Sequence, residues 1–419
     1  MRPYSNRIGK NFRMWGRNAK VLMATEPLWS IPMRWIFFYR PIFLSEAIGL
    51  SEVQIGLLSM VLNFFMILPP LAGGYLADRF GRKKVFMLFD SIGWLSSVAV
   101  WIVTRNVWYA LAAYILEGSA SIVFSIWECL MVEDTESEYR ASIYGSFAAI
   151  FNLGALATPV AGYVIAIYGV DLGTRILFTL AFASLVPMYA IRQKYLRETE
   201  LGYQIMEERT FAGMRGYLAS FSMVRRNRIL AALFALYAIG NFYYAATTYL
   251  PLYLINERGI GLSEDIASLI PTASSVSALI IALAIIPKLT SNSGYAKALV
   301  SGYLTGCLGT LLLIYSPKGY LPSALASGFV LGIYNAVAFS VSRTFLTNQI
   351  EAIDSRARAK TLSMTITLSS LLNLPSPAIA GYLFSIDPRL PFIAVCVSFI
   401  FSIAILFFAL RRDRSDNQN

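Results

Sequence analysis

Apolar residues in this chain run in long blocks, broken by short stretches that collect Gly, Pro, Lys and Arg. A helix rises about 1.5 Å per residue, so about 20 apolar residues cross a hydrocarbon layer of about 30 Å. The blocks meet that length repeatedly and predict spans near 20–46, 53–77, 84–104, 107–133, 141–169, 173–196, 228–256, 263–288, 296–316, 321–347, 359–386 and 390–410. The expected fold is all-α and integral to a membrane: twelve transmembrane helices in two six-helix bundles, 1–196 and 228–419. The polar stretch 197–227 is read as a linker, within which Phe211, Met214, Tyr217 and Phe221 recur at helical spacing.

The two bundles are expected to be repeats. Pro41-Ile42-Phe43-Leu44 followed by Ile48-Gly49-Leu50-Ser51-Glu52 is echoed by Pro251-Leu252-Tyr253-Leu254 followed by Ile260-Gly261-Leu262-Ser263-Glu264. Later, Glu133, Arg140, Pro159 and Ala161-Gly162-Tyr163 return in order as Glu351, Arg358, Pro377 and Ala380-Gly381-Tyr382. An even number of spans in each half gives both repeats one orientation, related by a pseudo-two-fold axis along the membrane normal, with a cavity between them at the midplane.

Charge then sets the orientation. With both termini on one side, roughly 27 of the 35 Lys and Arg fall in the termini and even-numbered loops and about 5 in the odd-numbered loops. The positive-inside rule therefore places both termini in the cytoplasm, with a plasma-membrane location expected. A net charge of +11 would suggest nucleic acid in a soluble protein, but here the cations sit beside the membrane and face lipid headgroups. With 57 % hydrophobic and 14 % charged residues the chain is too apolar for a soluble enzyme. It has no histidine, and its three cysteines lack metal-ligand spacing, so neither a metal site nor a cofactor is expected. The basic N-terminus lacks the apolar core and small-residue site of a cleaved signal peptide.

Between the second and third spans stands Gly74-Tyr75-Leu76-Ala77-Asp78-Arg79-Phe80-Gly81-Arg82-Lys83-Lys84. Its pattern, G-x-x-x-D-R-x-G-x-K-K, resembles the signature loop of the major facilitator superfamily and stands where that family carries it. Gly74 permits close helix contact, Gly81 a tight turn, and Asp78 suits the positive end of a neighbouring helix. The resemblance implies that Asp78 and Arg79, with Lys83 and Lys84, help latch the cytoplasmic side, Asp78 approaching the eleventh span near Ala359. Two other family motifs are incomplete. The fifth span has Gly154, Thr158, Pro159, Gly162 and Tyr163 where the antiporter motif has four glycines, and the fourth has Tyr114, Glu117 and Gly118 where drug antiporters carry an arginine and a Gln-Gly pair.

A charge at mid-span costs a few kcal/mol, so it faces a cavity or a partner. The candidates are Glu26, Arg34 and Arg40 in the first span, Asp90 in the third, Glu117 and Glu128 in the fourth, and Arg343 near the inner end of the tenth. Tyr114, Glu117, Ser121, Ser125 and Glu128 fall within roughly 80° of arc and form a polar stripe. Glu117 and Arg34 lie at similar depth and are expected to pair, or Glu117 to carry a proton. Glu26 and Glu128 are alternative proton carriers, or fixed pairs. Asp90 is expected to join the charges of the signature loop. Arg40, aligned with Leu250 of the second half, is expected to lack a counter-charge and either to bind an anionic solute or to snorkel outward. Asn241 and Asn335 are candidate cavity residues.

The expected function is secondary active transport of a small-molecule substrate by alternating access, coupled to protons. Uncoupled facilitation is the rival within the family; a membrane sensor or lipid-modifying enzyme is the rival outside it, and no phosphate loop, metal cluster or Ser-His-Asp set supports an enzyme.

Overall fold

A computed structural model describes residues 12–67, 69–208, 227–289, 291–353, 365 and 367–416, and among these the chain is helical with no strand. In chain order the helices are α1 (Arg17–Ile42), α2 (Glu52–Ile67), α3 (Pro69–Phe80), α4 (Arg82–Asp90), α5 (Ser97–Val103), α6 (Val107–Ser119), α7 (Ser121–Val132), α8 (Ser137–Leu156) and α9 (Thr158–Tyr195). They continue with α10 (Glu200–Glu208), α11 (Arg228–Thr247), α12 (Leu250–Ile255), α13 (Glu264–Ala267), α14 (Leu269–Ala284), α15 (Asn292–Ile314), α16 (Leu321–Ile353), α17 (Ser376–Ile386) and α18 (Leu390–Asp416). Eight helical stretches among the described residues are long and apolar enough to cross a membrane. Helix α1 has the length, at 26 residues, but carries Glu26, Arg34 and Arg40 together with Pro27, Pro32 and Pro41, which lower its hydropathy. Of the expected eleventh span, 354–364 and 366 lie outside the described residues, as do the linker positions Phe211, Met214, Tyr217 and Phe221.

Several expected spans are interrupted rather than straight. Helix α1 passes into a π-helical turn at Phe43–Ala47, and α4 passes into another at Ser91–Ser96 before α5 resumes. The fourth span breaks at Ala120 between α6 and α7. Within α9, Gly169 at φ 72° reverses the chain, so the element is two helical arms and corresponds to the end of the fifth expected span and the whole of the sixth.

By packing the chain forms two compact units: residues 1–50 with 61–212, and residues 51–60 with 213–419. The first has a core in which Leu22 and Met23 of α1 meet Val85 and Phe86 of α4 and Ile126, Leu130 and Met131 of α7. The second packs Leu233 and Tyr243 of α11 against Leu299 and Tyr303 of α15, Tyr334 and Val341 of α16 and Phe399 of α18. Ser51–Met60, the start of α2, belongs with the second unit: the Tyr249 hydroxyl donates to the Glu52 carbonyl at 2.9 Å, and a Cβ on Gly56 would stand 2.6 Å from the Pro377 carbonyl.

The sequence repeat is a repeat of backbone geometry. Gly49 and Gly261 turn the chain with φ of 75° and 70°. Around them Ile48 N–H donates to Phe43 O at 3.0 Å and Leu50 N–H to Leu44 O at 2.9 Å, while Ile260 N–H donates to Tyr253 O at 3.1 Å and Leu262 N–H to Leu254 O at 2.8 Å. The matching Tyr39 and Tyr249 are both fully buried. One corner, with two extra residues in its second copy, therefore closes an equivalent helix in each half.

Candidate functional site

The deep charges of the first unit sort into three groups along α1. Arg40, on its last turn, is buried and paired: its Nη1 donates to Glu117 Oε2 at 2.6 Å. The guanidinium also lies 4.7 Å from the Tyr114 ring centroid and 5.4 Å from those of Phe37 and Trp101, with Trp101 edge-on to Tyr114 at 5.1 Å. Expectation is corrected on two points: Glu117 pairs with Arg40 and not Arg34, and Arg40 is not the uncompensated cation. Arg34 and Arg40 are six residues apart, which at 100° per residue turns them to different sides of α1, so depth alone could not choose the partner. Burial also differs along the expected stripe. Tyr114, Glu117 and Ser121 are buried, Ser121 reaching the Phe65 carbonyl at 3.4 Å, whereas Glu128 is exposed and makes no ion pair among the described residues.

Arg34 is the cation left over. Its guanidinium carbon stands 3.7 Å above the centroid of the Phe151 ring, and it has neither a carboxylate nor a hydrogen-bond acceptor among the described residues. Around it is a wall of aromatic rings: Trp29 stacks on Phe151 at 6.5 Å and meets Trp94 edge-on at 5.0 Å, and Phe147 stacks on Phe151 at 5.8 Å. Trp29 Nε1 and Ser30 Oγ, one turn before Arg34, are buried donors that also lack an acceptor. Buried polar groups are normally hydrogen-bonded, so three unsatisfied groups on one short stretch make it the candidate place for a polar guest. Close packing holds the wall in place: a Cβ on Gly154 of α8 would stand 2.7 Å from the Ser30 carbonyl.

The third group was not expected from sequence. Arg192, near the end of α9 and 3 % exposed, donates Nη2 to Glu26 Oε2 at 3.2 Å, places Nη1 3.5 Å from both oxygens of Asp90, and donates Nε to Thr25 Oγ1 at 3.0 Å. Glu26 and Asp90 are 4 % and 1 % exposed. Asp90 thus faces Arg192, not the signature loop. Two residues before Lys194 and five before Arg197, Arg192 reads in sequence as one more cation at a membrane edge; the compensating signal was the pair of buried acids with no assigned base.

At the signature loop, Gly74 lies within α3 and Gly81 separates α3 from α4 with φ 93°. Lys83 N–H donates to Glu198 Oε2 at 2.9 Å, and Arg82 forms an ion pair with Glu133. Arg82 Nη1 also donates to Thr199 Oγ1 at 3.0 Å, and Thr199 in turn donates to Glu133 at 2.6 Å. Arg82 is the residue of this loop that sequence reasoning passed over, although Glu133 was already marked by the repeat. Asp78 is half-buried and Arg79 and Lys84 are exposed, Arg79 donating to the Tyr75 hydroxyl at 2.7 Å. Ala359, expected beside Asp78, lies outside the described residues. Nearby, Asp134 is exposed as a residue, but partial desolvation of its carboxyl pushes it above its ordinary range, while a hydrogen bond from the Glu200 backbone pulls the other way.

In the second unit Tyr243, Tyr303, Tyr334 and Phe399 form a cluster of rings, and Asn335 and Asn241 are half-buried. Leu250 occupies the place of Arg40, so this unit has no counterpart of the Arg40–Glu117 pair.

A polytopic helical bundle with a repeated half, a signature loop and buried charges on its first helix defines a membrane transporter. The sequence profile of the Major Facilitator Superfamily matches residues 30–352, and the chain belongs to that family. It is 23 % identical over 345 residues to a cis,cis-muconate transport protein of Acinetobacter baylyi, covering 80 % of each chain. It is 24 % identical over 352 residues to the class C tetracycline resistance protein of Escherichia coli, covering 83 % of each. Among solved structures it is similar in fold to the nucleoside transporter NupG, with a TM-score of 0.71 at 12 % identity, covering 94 % of this chain and 99 % of the other.

Proposed function

We propose that this chain is a secondary transporter that moves a small organic anion by alternating access, coupled to protons, with both termini in the cytoplasm. The observation that supports an anion is Arg34. A guanidinium over one aromatic ring, beside two further unsatisfied donors, offers a carboxylate the charge-assisted, bidentate contact that no acceptor among the described residues supplies. The aromatic wall suits a flat or unsaturated carbon frame between the charged groups. Of the two relatives described above, one is named for a dicarboxylate and the other for a drug, and a buried cation without a carboxylate among the described residues favours the first.

The test is ligand stabilisation of the purified protein by a panel of dicarboxylates and sulfonates that includes cis,cis-muconate. A ligand present at a hundred times its Kd adds about 2.7 kcal/mol to the folded state. An acid should raise the melting temperature, its dimethyl ester should not, and Arg34→Gln should abolish the response. Equal shifts by acid and ester, no response to any anion, or a full response in Arg34→Gln would each overturn the reading. In liposomes, accumulation driven by an imposed pH gradient separates coupled transport from uncoupled facilitation.

A further inference from the structure

The cluster on α1, α4 and α9 has a charge that does not balance. Glu26 and Asp90 supply two negative charges, Arg192 supplies one positive charge, and all three are at least nine-tenths buried. Thr25 adds no charge: its hydroxyl accepts from Arg192 Nε and donates to the carbonyls of Val21 and Leu22. The arginine is stretched between the acids, at 3.2 Å from Glu26 and 3.5 Å from Asp90, longer than the usual 2.7–2.9 Å of a charge-assisted N–H···O bond.

Among the described residues, no other charge on the packed elements is placed to cancel the excess. On α1 itself Arg17 and Lys20 donate to the carbonyls of Tyr195 and Arg13, Arg34 lies over Phe151 and Arg40 holds Glu117; on α3, Asp78 is half-buried at the loop end and Arg79 donates to the Tyr75 hydroxyl. On α4, Arg82 is taken by Glu133 while Lys83 and Lys84 face the loop end; on α9, Arg175 is taken by Asp171 at the opposite end and Lys194 is exposed. On α8, Arg140 donates to the Thr135 carbonyl, and on α7, Glu128 is exposed and of the wrong sign. The remaining neighbour of Arg192 is the Phe86 ring at 5.8 Å.

We propose that Glu26, Asp90 and Arg192 form a proton-binding site in which the two carboxylates hold one proton between them and share one guanidinium. An isolated net charge in a buried site is expensive, and like charges that share a site do not both stay ionised. The proton comes from the aqueous phase, forms one O–H bond on a carboxylate oxygen and returns to water when the site opens; no other bond changes. The π-helical turn that begins directly after Asp90 gives the third span a place to shift Asp90 against Arg192. Opening that contact leaves Arg192 with Glu26 alone, a balanced pair, and gives Asp90 to water. The site sits apart from Arg34, so that solute and proton occupy different groups on one helix. Its role as the coupling site rests on the transport reading above, whereas its occupancy by a proton does not.

The experiment is infrared difference spectroscopy of the full-length protein in lipid, titrated with pH and repeated in heavy water, to read the carbonyl stretch of a protonated carboxylic acid. The parent should show one such band near neutral pH. Either Glu26→Gln or Asp90→Asn should lose it, because removal of either acid leaves a neutral pair with Arg192; Glu117→Gln should retain it. Absence of the band in the parent, which requires no variant to fold, would overturn the proposal, and so would survival of the band in either single variant. Without any solute, this result is separable from the function: a band that behaves as stated in a protein with no pH-driven uptake sinks the coupling and keeps the site. Uptake driven by pH without the band does the reverse.

Discussion

Glu117→Gln isolates one interaction whose geometry is fully specified. The Arg40 guanidinium and the Glu117 carboxylate meet at 2.6 Å with both side chains buried, inside a ring of Phe37, Trp101 and Tyr114. With charge centres about 4 Å apart and an effective dielectric of about 20, their attraction is about 4 kcal/mol. Glutamine keeps an acceptor for Nη1 but removes the counter-charge, leaving a buried cation among three rings with no carboxylate beside it. Breaking a buried pair in this way costs about 3–5 kcal/mol, whereas replacing both members by apolar residues is often neutral. The expected pattern for unfolding in increasing denaturing detergent is a loss of about 3–5 kcal/mol for Glu117→Gln, a similar loss for Arg40→Met, and recovery of most of it in Arg40→Met with Glu117→Leu. A loss under about 1 kcal/mol in the Gln variant, or additive losses in the double variant, would refute the view of the pair as a mutually compensating unit. Transport by a stable Glu117→Gln protein would at the same time remove Glu117 from the list of proton carriers.

Two further outcomes are expected. Gly49→Ala and Gly261→Ala each place a Cβ on a residue with φ near 70°, and at Gly49 that Cβ meets nothing within 4 Å, so each should cost about 1–2 kcal/mol of purely conformational strain, read in the same unfolding assay. Because partial desolvation raises the carboxyl of Asp134 above its unfolded range, its contribution weakens the fold progressively as pH rises through the ordinary Asp value to the raised one; Asp134→Asn should flatten that dependence, and an unchanged pH profile of melting temperature would deny it.

Span positions, the repeat and the family were legible because each is written in a one-dimensional signal: block length, ordered motifs and loop charge. The corner at Gly49 and Gly261 shows how far such a signal reaches, since a repeated sequence gave a repeated set of hydrogen bonds. Pairing of the buried charges was less legible, because it depends on azimuth as well as depth. Span positions put Arg34 and Glu117 at similar depth, but it is Arg40, at the end of α1 just before the π-helical turn, that reaches Glu117. Periodicity also drew Glu128 into the stripe with Glu117, yet Glu117 is buried and paired while Glu128 is exposed. Arg192 was hidden by its neighbours in sequence, because a cation among loop-side cations carries no mark of being buried.

The grouping of Ser51–Met60 with the second unit has a consequence for the order in which the protein is made. Glu52 leaves the ribosome 197 residues before Tyr249, the side chain whose hydroxyl takes up its carbonyl. At about 5–20 residues per second that interval is roughly 10–40 s, and once residue 212 has completed the first unit the start of α2 is still without its packing partners. A nascent chain halted before Tyr249 should therefore expose this one segment to proteolysis or to an insertion chaperone, and release it from both as soon as α12 and α17 arrive.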